Sequence, residues 1–378
     1  MIRERSIVCF ANDWHSDPTS KHQIMKILSE RNMILWINSI GLRAPSLNSQ
    51  DVARILSKMK SLFSGIERVN GNLYVLTPLA IPLHKYPWVR KLNRELLLAQ
   101  IRYYMKKLKI VDVDLWTFMP TMANLVGRLR ERKLIYYCVD DWSKFSFIES
   151  QSMAQLEADL VKRCDVVITS ARELYEQKKK LNPNTHLILH GVDYGHFSKA
   201  LGQDCSIPED IRDIAKPIIG FFGLIHEWID LSLIDRVGKV HPDWSIVLIG
   251  KVSVDVSELK KLRNVHFLGQ KKYGDLPGYC RAFDVAMIPF VINELTKSVN
   301  PIKLREYLAA GLPVVSVDLP EIRAYETTVR ISRNHEEFIR NIELALINLQ
   351  EEEKKERSAW MKREDWNFKV LEISKLLS

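Results

Sequence analysis

Ser6-Ile7-Val8-Cys9-Phe10-Ala11 is a short, almost unbroken apolar run. Polar residues Asn12 to Ser20 follow. Next comes Lys21-His22-Gln23-Ile24-Met25-Lys26-Ile27-Leu28-Ser29-Glu30, with its apolar residues at helical spacing, and then a second run, Met33-Ile34-Leu35-Trp36-Ile37-Asn38. A strand with one wet face alternates polar and apolar residues. A run apolar throughout must be covered on both faces, as a parallel strand between helix layers is. The stretch therefore predicts strand, loop, helix, strand: a βαβ unit. The same texture recurs at Val113–Phe118, Leu134–Val139 and Val166–Ser170. It begins afresh at Pro217–Gly223 and continues at Trp244–Gly250, Val265–Gly269, Val285–Phe290 and Pro313–Val317. Two separate series predict an α/β protein of two doubly wound, Rossmann-like domains. The polar stretch Lys199–Lys216 reads as the linker, which places the domains at residues 1–198 and 199–360. The tail from His335 to Ser378 reads as continuous helix, with Trp360 and Trp366 as apolar anchors.

The chain has 378 residues, enough for two cores, and 46% apolar with 27% charged residues is ordinary globular composition. Disorder, collagen and coiled coil are poor fits. No apolar run reaches the roughly 20 residues of a spanning helix, and the apolar part of Met1–Phe10 is too short for a signal peptide. Five Cys, none in a CxxC pair, argue against a disulfide framework or zinc knuckle, so a cytoplasmic chain is expected. Net charge is +9, and residues 51–133 hold sixteen Lys/Arg against six Asp/Glu. Such a local surplus suggests an anionic partner.

In open α/β sheets, ligands bind beyond the carboxyl ends of the strands. Asn300-Pro301-Ile302-Lys303-Leu304-Arg305-Glu306-Tyr307-Leu308-Ala309-Ala310-Gly311-Leu312-Pro313-Val314-Val315 reads as a helix that starts near Pro301, stops at Gly311 and leads into a strand. Free N–H groups at such a start attract phosphate. Lys303 adds positive charge, and Glu306, about one turn on, is placed to accept from the hydroxyls of a ribose. On spacing alone, a plain amphipathic helix with both residues on its wet side is the favoured reading.

This segment resembles the nucleotide-binding segment of GT-B glycosyltransferases of the large retaining family 4. The similarity extends to Gly191-Val192-Asp193 with Phe197, like the turn that closes that family's N-terminal domain. It also takes in Phe267-Leu268-Gly269, Leu276-Pro277, Tyr279 and Phe283-Asp284-Val285, like the region flanking its nucleobase. Bacterial cell-surface polysaccharide transferases, including the teichuronic-acid type, are the most similar in character. The resemblance implies two domains facing across a cleft, with a C-terminal helix, 361–378, returning to the first. It implies a nucleotide-diphospho sugar donor, UDP-linked, no required metal or other cofactor, and transfer with retention to a hydroxyl of a glycan or lipid-linked glycan. Donor contacts would come from Gly223, Leu224, Lys251, Gln270, Lys271, Ser298, Asn300, Pro301, Ile302 and Glu306, with Lys303 stabilising the leaving phosphate. Two departures stand out. The family's first glutamate, eight positions before Glu306, is Ser298 here, with Glu294 out of register. The Arg/Lys pair usual after the first strand of the second domain is missing from Gly223-Leu224-Ile225-His226-Glu227-Trp228-Ile229-Asp230.

Asp13-Trp14-His15-Ser16-Asp17-Pro18-Thr19-Ser20-Lys21-His22 occupies the position of the family's acceptor loop. Trp14, Ser20 and His22 are candidate sugar contacts, and His15 and Asp17 are candidates for moving the acceptor's proton. Helix capping by Thr19 or Ser20 is the alternative use. Asp140 and Asp141, after a buried strand, read as acceptor contacts or as a helix cap, and His190 as structural. Residues 52–63 and 88–109 read as helices cationic on one face and apolar on the other. They suit either an anionic membrane surface or the outer layer of the first domain. No nucleic-acid motif is present. Three rival readings follow: a non-hydrolysing sugar-nucleotide epimerase, a catalytically silent GT-B binding scaffold, and an NAD enzyme. The last is disfavoured because no GxGxxG follows either first strand.

Overall fold

The computed structural model describes residues 1–39, 65–81, 86–146, 149–347 and 350–378. The basic segment 52–63 lies outside the described residues. The chain divides into two compact units. One comprises Met1–Ser170, Leu174–Ile188 and Val370–Ser378; the other comprises Ala171–Glu173 and Leu189–Lys369.

The first unit is built on β1 (Ser6–Ala11), β2 (Met33–Asn38), β3 (Ile66–Arg68), β4 (Leu73–Leu76), β5 (Val113–Thr117), β6 (Lys133–Cys138), β7 (Val166–Thr169) and β8 (Thr185–Leu187). Their order is β3-β4-β2-β1-β5-β6-β7-β8, parallel except for β3 against β4. Strands β1 and β5 to β7 are buried along almost their whole length, as their apolar runs require. The edge strands β3 and β8 carried no such signal. Ile66-Glu67-Arg68 has no buried residue, and β8 has one, so neither needs an apolar run.

The second unit has β9 (Ile218–Phe222), β10 (Ser245–Ile249), β11 (Val265–Gly269), β12 (Val285–Ile288), β13 (Val314–Val317) and β14 (Val329–Ser332). All are parallel, in the order β11-β10-β9-β12-β13-β14. This is the doubly wound order, and the chain reverses its direction of travel across the sheet between β9 and β12.

The division between units falls at Ile188/Leu189, not at 198/199. Val192 and Phe197 are both fully buried in the second unit's core, and Phe197 stacks on Phe222 with ring centroids 6.0 Å apart. The tail also differs from the expectation. It is three helices, His335–Ile347, Glu351–Met361 and Trp366–Leu377, rather than one. The chain turns at Asp365, where Val192 N–H donates to Glu364 O (2.9 Å) and Trp366 N–H donates to Val192 O (3.1 Å). Met361 is buried in the second unit's core, so the tail changes unit after Lys369 rather than at 360.

Candidate functional site

Helix Ile302–Ala309 enters after β12 and leaves into β13, so its amino end stands at the carboxyl edge of the sheet, beside the reversal point. Pro301 is its N-cap residue, and no side chain caps the first turn. The first N–H groups of a helix have no intrahelical acceptor, and the helix dipole gives that end partial positive charge. Gly311, at φ +80°, ends it.

Three glycines end β9, β10 and the adjoining β11: Gly223, Gly250 and Gly269, at φ +149°, +143° and +71°. A Cβ on Gly250 would collide with the carbonyl of Gly223, and one on Gly223 would collide with the Lys303 side chain. The strand ends are therefore stripped to bare backbone, with the stem of Lys303 laid across Gly223. The Lys303 ammonium sits 5.6 Å from the centroid of the Phe222 ring. Tyr307 ties the helix to the sheet by accepting from Phe222 N–H through its hydroxyl (2.9 Å).

Glu306 is 6% exposed, and its Oε2 has no hydrogen-bond partner among the described residues. Burial pushes its carboxyl up to about 7; Lys303 opposes the shift and Asp193 adds to it. A buried carboxylate with an unused acceptor is costly unless something donates to it. Asp193 is itself held as the N-cap of Tyr194–Phe197, accepting from His196 N–H. The neighbouring Arg305 is fully buried. It donates from Nη1 to Asn300 Oδ1 (2.6 Å), lies over the Tyr325 ring, and reaches Glu364 at 4.0 Å. Arg305 thus braces the loop that delivers Pro301. Neither Arg305 nor Tyr307 was expected at the site. A signal was available for Tyr307 alone: in a helix, 304, 307 and 308 share a face, whereas nothing in the sequence marks Arg305 as buried.

The other expected donor residues are dispersed. Leu224 and Lys251 are exposed on the loops after β9 and β10, which join through Ile225 N–H to Lys251 O (2.9 Å). Gln270 is exposed after Gly269. The Lys271 ammonium is held by Asp210 at 2.6 Å, and Asp210 also accepts from Tyr279 Oη. Ser298 is buried, its hydroxyl donating to Glu294 O (3.4 Å), while Glu294 itself pairs with Lys297. Ile302 is half-buried, and Asn300 and Pro301 are buried.

In the first unit, Trp14, His22 and Trp36 form one aromatic cluster, with centroids 4.9–5.1 Å apart. Trp14 N–H and Trp36 Nε1–H both donate to Asn38 Oδ1 at 2.9 Å. Thr19 and His22 complete a capping box, and Ser20 is buried. His15 pairs with Glu67 of β3 at 2.8 Å, both well exposed, and Asp17 is exposed. Asp141 caps Trp142–Lys144, accepting from Ser143 N–H (3.3 Å) and Oγ (2.7 Å). Burial raises the Asp140 carboxyl, against the pull of Lys21. The His190 ring meets the Trp366 ring edge-on. Among the described residues, no group of three or more His, Cys, Asp or Glu is placed to hold a metal ion.

Residues 216–348 match the family model described as Glycosyl transferases group 1. The chain is similar to family-4-like GT-B glycosyltransferases. A Bacillus subtilis (strain 168) protein named as a candidate teichuronic acid biosynthesis glycosyltransferase, TuaH, is 29% identical over 223 residues, covering 54% of this chain and 55% of that protein. The match thus spans about half the length of that relative. Sucrose-phosphate synthase from Thermosynechococcus elongatus superposes with a TM-score of 0.72 at 14% identity, covering 99% of this chain and 98% of that one. Anabaena Alr3699/HepE, solved with UDP and glucose, gives 0.67 at 14% identity over 98% of both chains. A UDP-forming α,α-trehalose-phosphate synthase from Burkholderia vietnamiensis gives 0.67 at 12% identity over 99% of both. These likenesses bear out the GT-B fold.

Proposed function

We propose that this GT-B protein is a retaining glycosyltransferase. It takes a UDP-linked sugar and transfers the sugar to a hydroxyl of a glycan or lipid-linked glycan in cell-surface polysaccharide synthesis. The observation that carries the reading is Glu306: a buried carboxylate with a free oxygen, one turn into an uncapped helix at the sheet's reversal point, beside Lys303. In this reading Glu306 accepts from the ribose hydroxyls, and the amides of Ile302 and Lys303 face the diphosphate. As the sugar–phosphate bond breaks, charge builds on the leaving phosphate, and the Lys303 ammonium stabilises it in a site already organised to do so. The leaving diphosphate helps take the acceptor's proton, so no metal is needed. Support for the donor comes from HepE, solved with UDP and glucose, and for the pathway from TuaH. Calorimetry against UDP-, GDP- and ADP-sugars tests this reading. UDP-sugars binding best is the expected result, and no nucleotide sugar binding would reject it.

A silent binding scaffold is the second reading. It is favoured by Ser298, which offers only a hydroxyl where an acid is expected, and by Lys271, whose charge is taken by Asp210. Donor turnover decides: release of UDP that depends on acceptor supports a transferase, conversion of the sugar without acceptor supports an epimerase, and neither supports a scaffold.

We also propose that the first unit meets an anionic membrane on the cytoplasmic side. Helix Pro87–Lys107 turns Trp88 (63% exposed), Leu92 (47%) and Tyr103 (62%) outward, flanked by Lys91, Arg102 and Lys106. Exposed rings and an aliphatic side chain ringed by cations suit the lipid headgroup boundary. No described helix is long and apolar enough to cross a membrane.

A further inference from the structure

Lys21 stands in the first turn of the nine-residue helix Ser20–Leu28, directly beyond β1. It is only 9% exposed, yet among the described residues its ammonium has no hydrogen-bond or ion-pair partner. The Nζ lies 5.9 Å from the centroid of the Phe118 ring, the first residue past β5. The ammonium is therefore close to Phe118, just past β5, and its charge reaches Cys9 within β1 and Asp140 just past β6. Burial pushes Lys21 below its usual range, and Asp140 only partly opposes this.

His22 adds a second donor. Its Nδ1 accepts from Thr19 N–H (3.1 Å), so Nε2 bears the hydrogen. Burial pushes this imidazole down to about 4, so it is neutral at physiological pH. The ring is 5% exposed; among the described residues Nε2 has no partner at hydrogen-bond geometry, and the backbone of Asp13 and Trp14 beside the ring opposes the effect of burial. The helix carries no acid in its first turn. Lys21 brings positive charge to the start of this helix, and Asp140 is the acid whose charge acts on the ammonium, without an ion pair between them.

We infer that the first unit holds its acceptor by an oxyanion, a phosphate or a carboxylate on the acceptor sugar, bound by the Lys21 ammonium. The inference rests on the acceptor-side reading of this loop given above. It narrows the acceptor to a sugar phosphate or a uronate. Lys21 is not matched fully by Asp140, because the two make no ion pair; an oxyanion seated nearer the ammonium would also gain a charge-assisted hydrogen bond.

The test is titration of the full chain with glucose 6-phosphate, glucuronate and neutral methyl glucoside, with UDP present in excess to fill the donor site. One or both anions should bind at least about tenfold more tightly than the neutral sugar, and the better one identifies phosphate or carboxylate. Lys21→Met should remove that preference while leaving the neutral sugar's affinity unchanged. Asp140→Asn should tighten anion binding, because it deletes a competing negative charge. Should Lys21→Met fail to fold, Lys21→Arg, which keeps the charge, must keep the preference, and Asp140→Asn stands independently. Equal binding of charged and neutral sugars, an unaltered preference in Lys21→Met, or weaker anion binding in Asp140→Asn overturns the inference. Failure of UDP itself to bind would sink the transferase reading instead, and wild type against Lys21→Met would still report on Lys21.

Discussion

At the scale of single residues, Glu306 sets function against stability. Its carboxyl is raised to about 7 in the folded chain, from 4.5 in the open one. Between those values the folded state holds the extra proton, so Glu306's contribution to stability falls as pH rises from about 4.5 through 7. Above 7 the folded chain carries a buried, undersatisfied charge, with a cost of order 3 kcal/mol. Glu306→Gln removes the titration and keeps the shape. It should be more stable than wild type at pH 8 by a few kcal/mol, with the gain fading towards pH 5; urea unfolding at the two values checks this. The same variant should bind UDP-sugars at least about tenfold more weakly, since an amide is a poorer acceptor for two hydroxyls. Nothing in the spacing of Lys303 and Glu306 distinguished a wet helix face from this pocket. That distinction is one of desolvation, and it appears only when β9 and the turn at Asp193 close over the helix.

At the scale of elements, the three strand-end glycines decide how near a ligand can come to the sheet. Gly250 combines φ +143° with a neighbour that cannot move aside, the carbonyl of Gly223. Gly250→Ala should destabilise the chain by roughly 2–4 kcal/mol and abolish UDP binding. Gly274→Ala, where a Cβ meets nothing within 4 Å, is the control and should be nearly neutral in the same urea experiment. The outward stripe of helix Pro87–Lys107 makes a separate claim. The double variant Trp88→Ala/Leu92→Ala should lose at least about tenfold in partition onto vesicles containing anionic lipid. Wild-type binding should also fade as salt rises. Binding indifferent to lipid charge would remove the membrane proposal. The helix's amphipathic pattern was legible in the sequence. Its outward apolar stripe was not, because Val89, Asn93, Leu97, Leu98 and Ile101 form a second, buried face, and only packing shows which face is which.

At the scale of the molecule, each unit is assembled from pieces distant along the chain. Val370, Ile373 and Leu377 are buried in the first unit, and Lys133 Nζ donates to Leu377 O at 2.9 Å. At roughly 1.5–3 kcal/mol for each buried side chain, removing residues 370–378 should loosen the first unit by several kcal/mol. Hydrogen exchange should show faster amides there and little change in β9–β14; uniform acceleration or no change would contradict the division. The sequence alone determined the two series of parallel strands and the helix that opens at Pro301. Those features follow from local pattern: runs apolar on both faces must be sandwiched, a proline starts a helix, and a glycine stops one. Tertiary structure alone decided the edge strands β3 and β8 and their neighbour β4, the point where the tail changes unit, the bracing of Asn300 by Arg305, the capture of Lys271 by Asp210, and the placing of Lys21 near Asp140. Each of these joins residues far apart in the chain or depends on how much water remains around a charge. Periodicity carries neither kind of information, because pairing and desolvation are set by the closing of the fold.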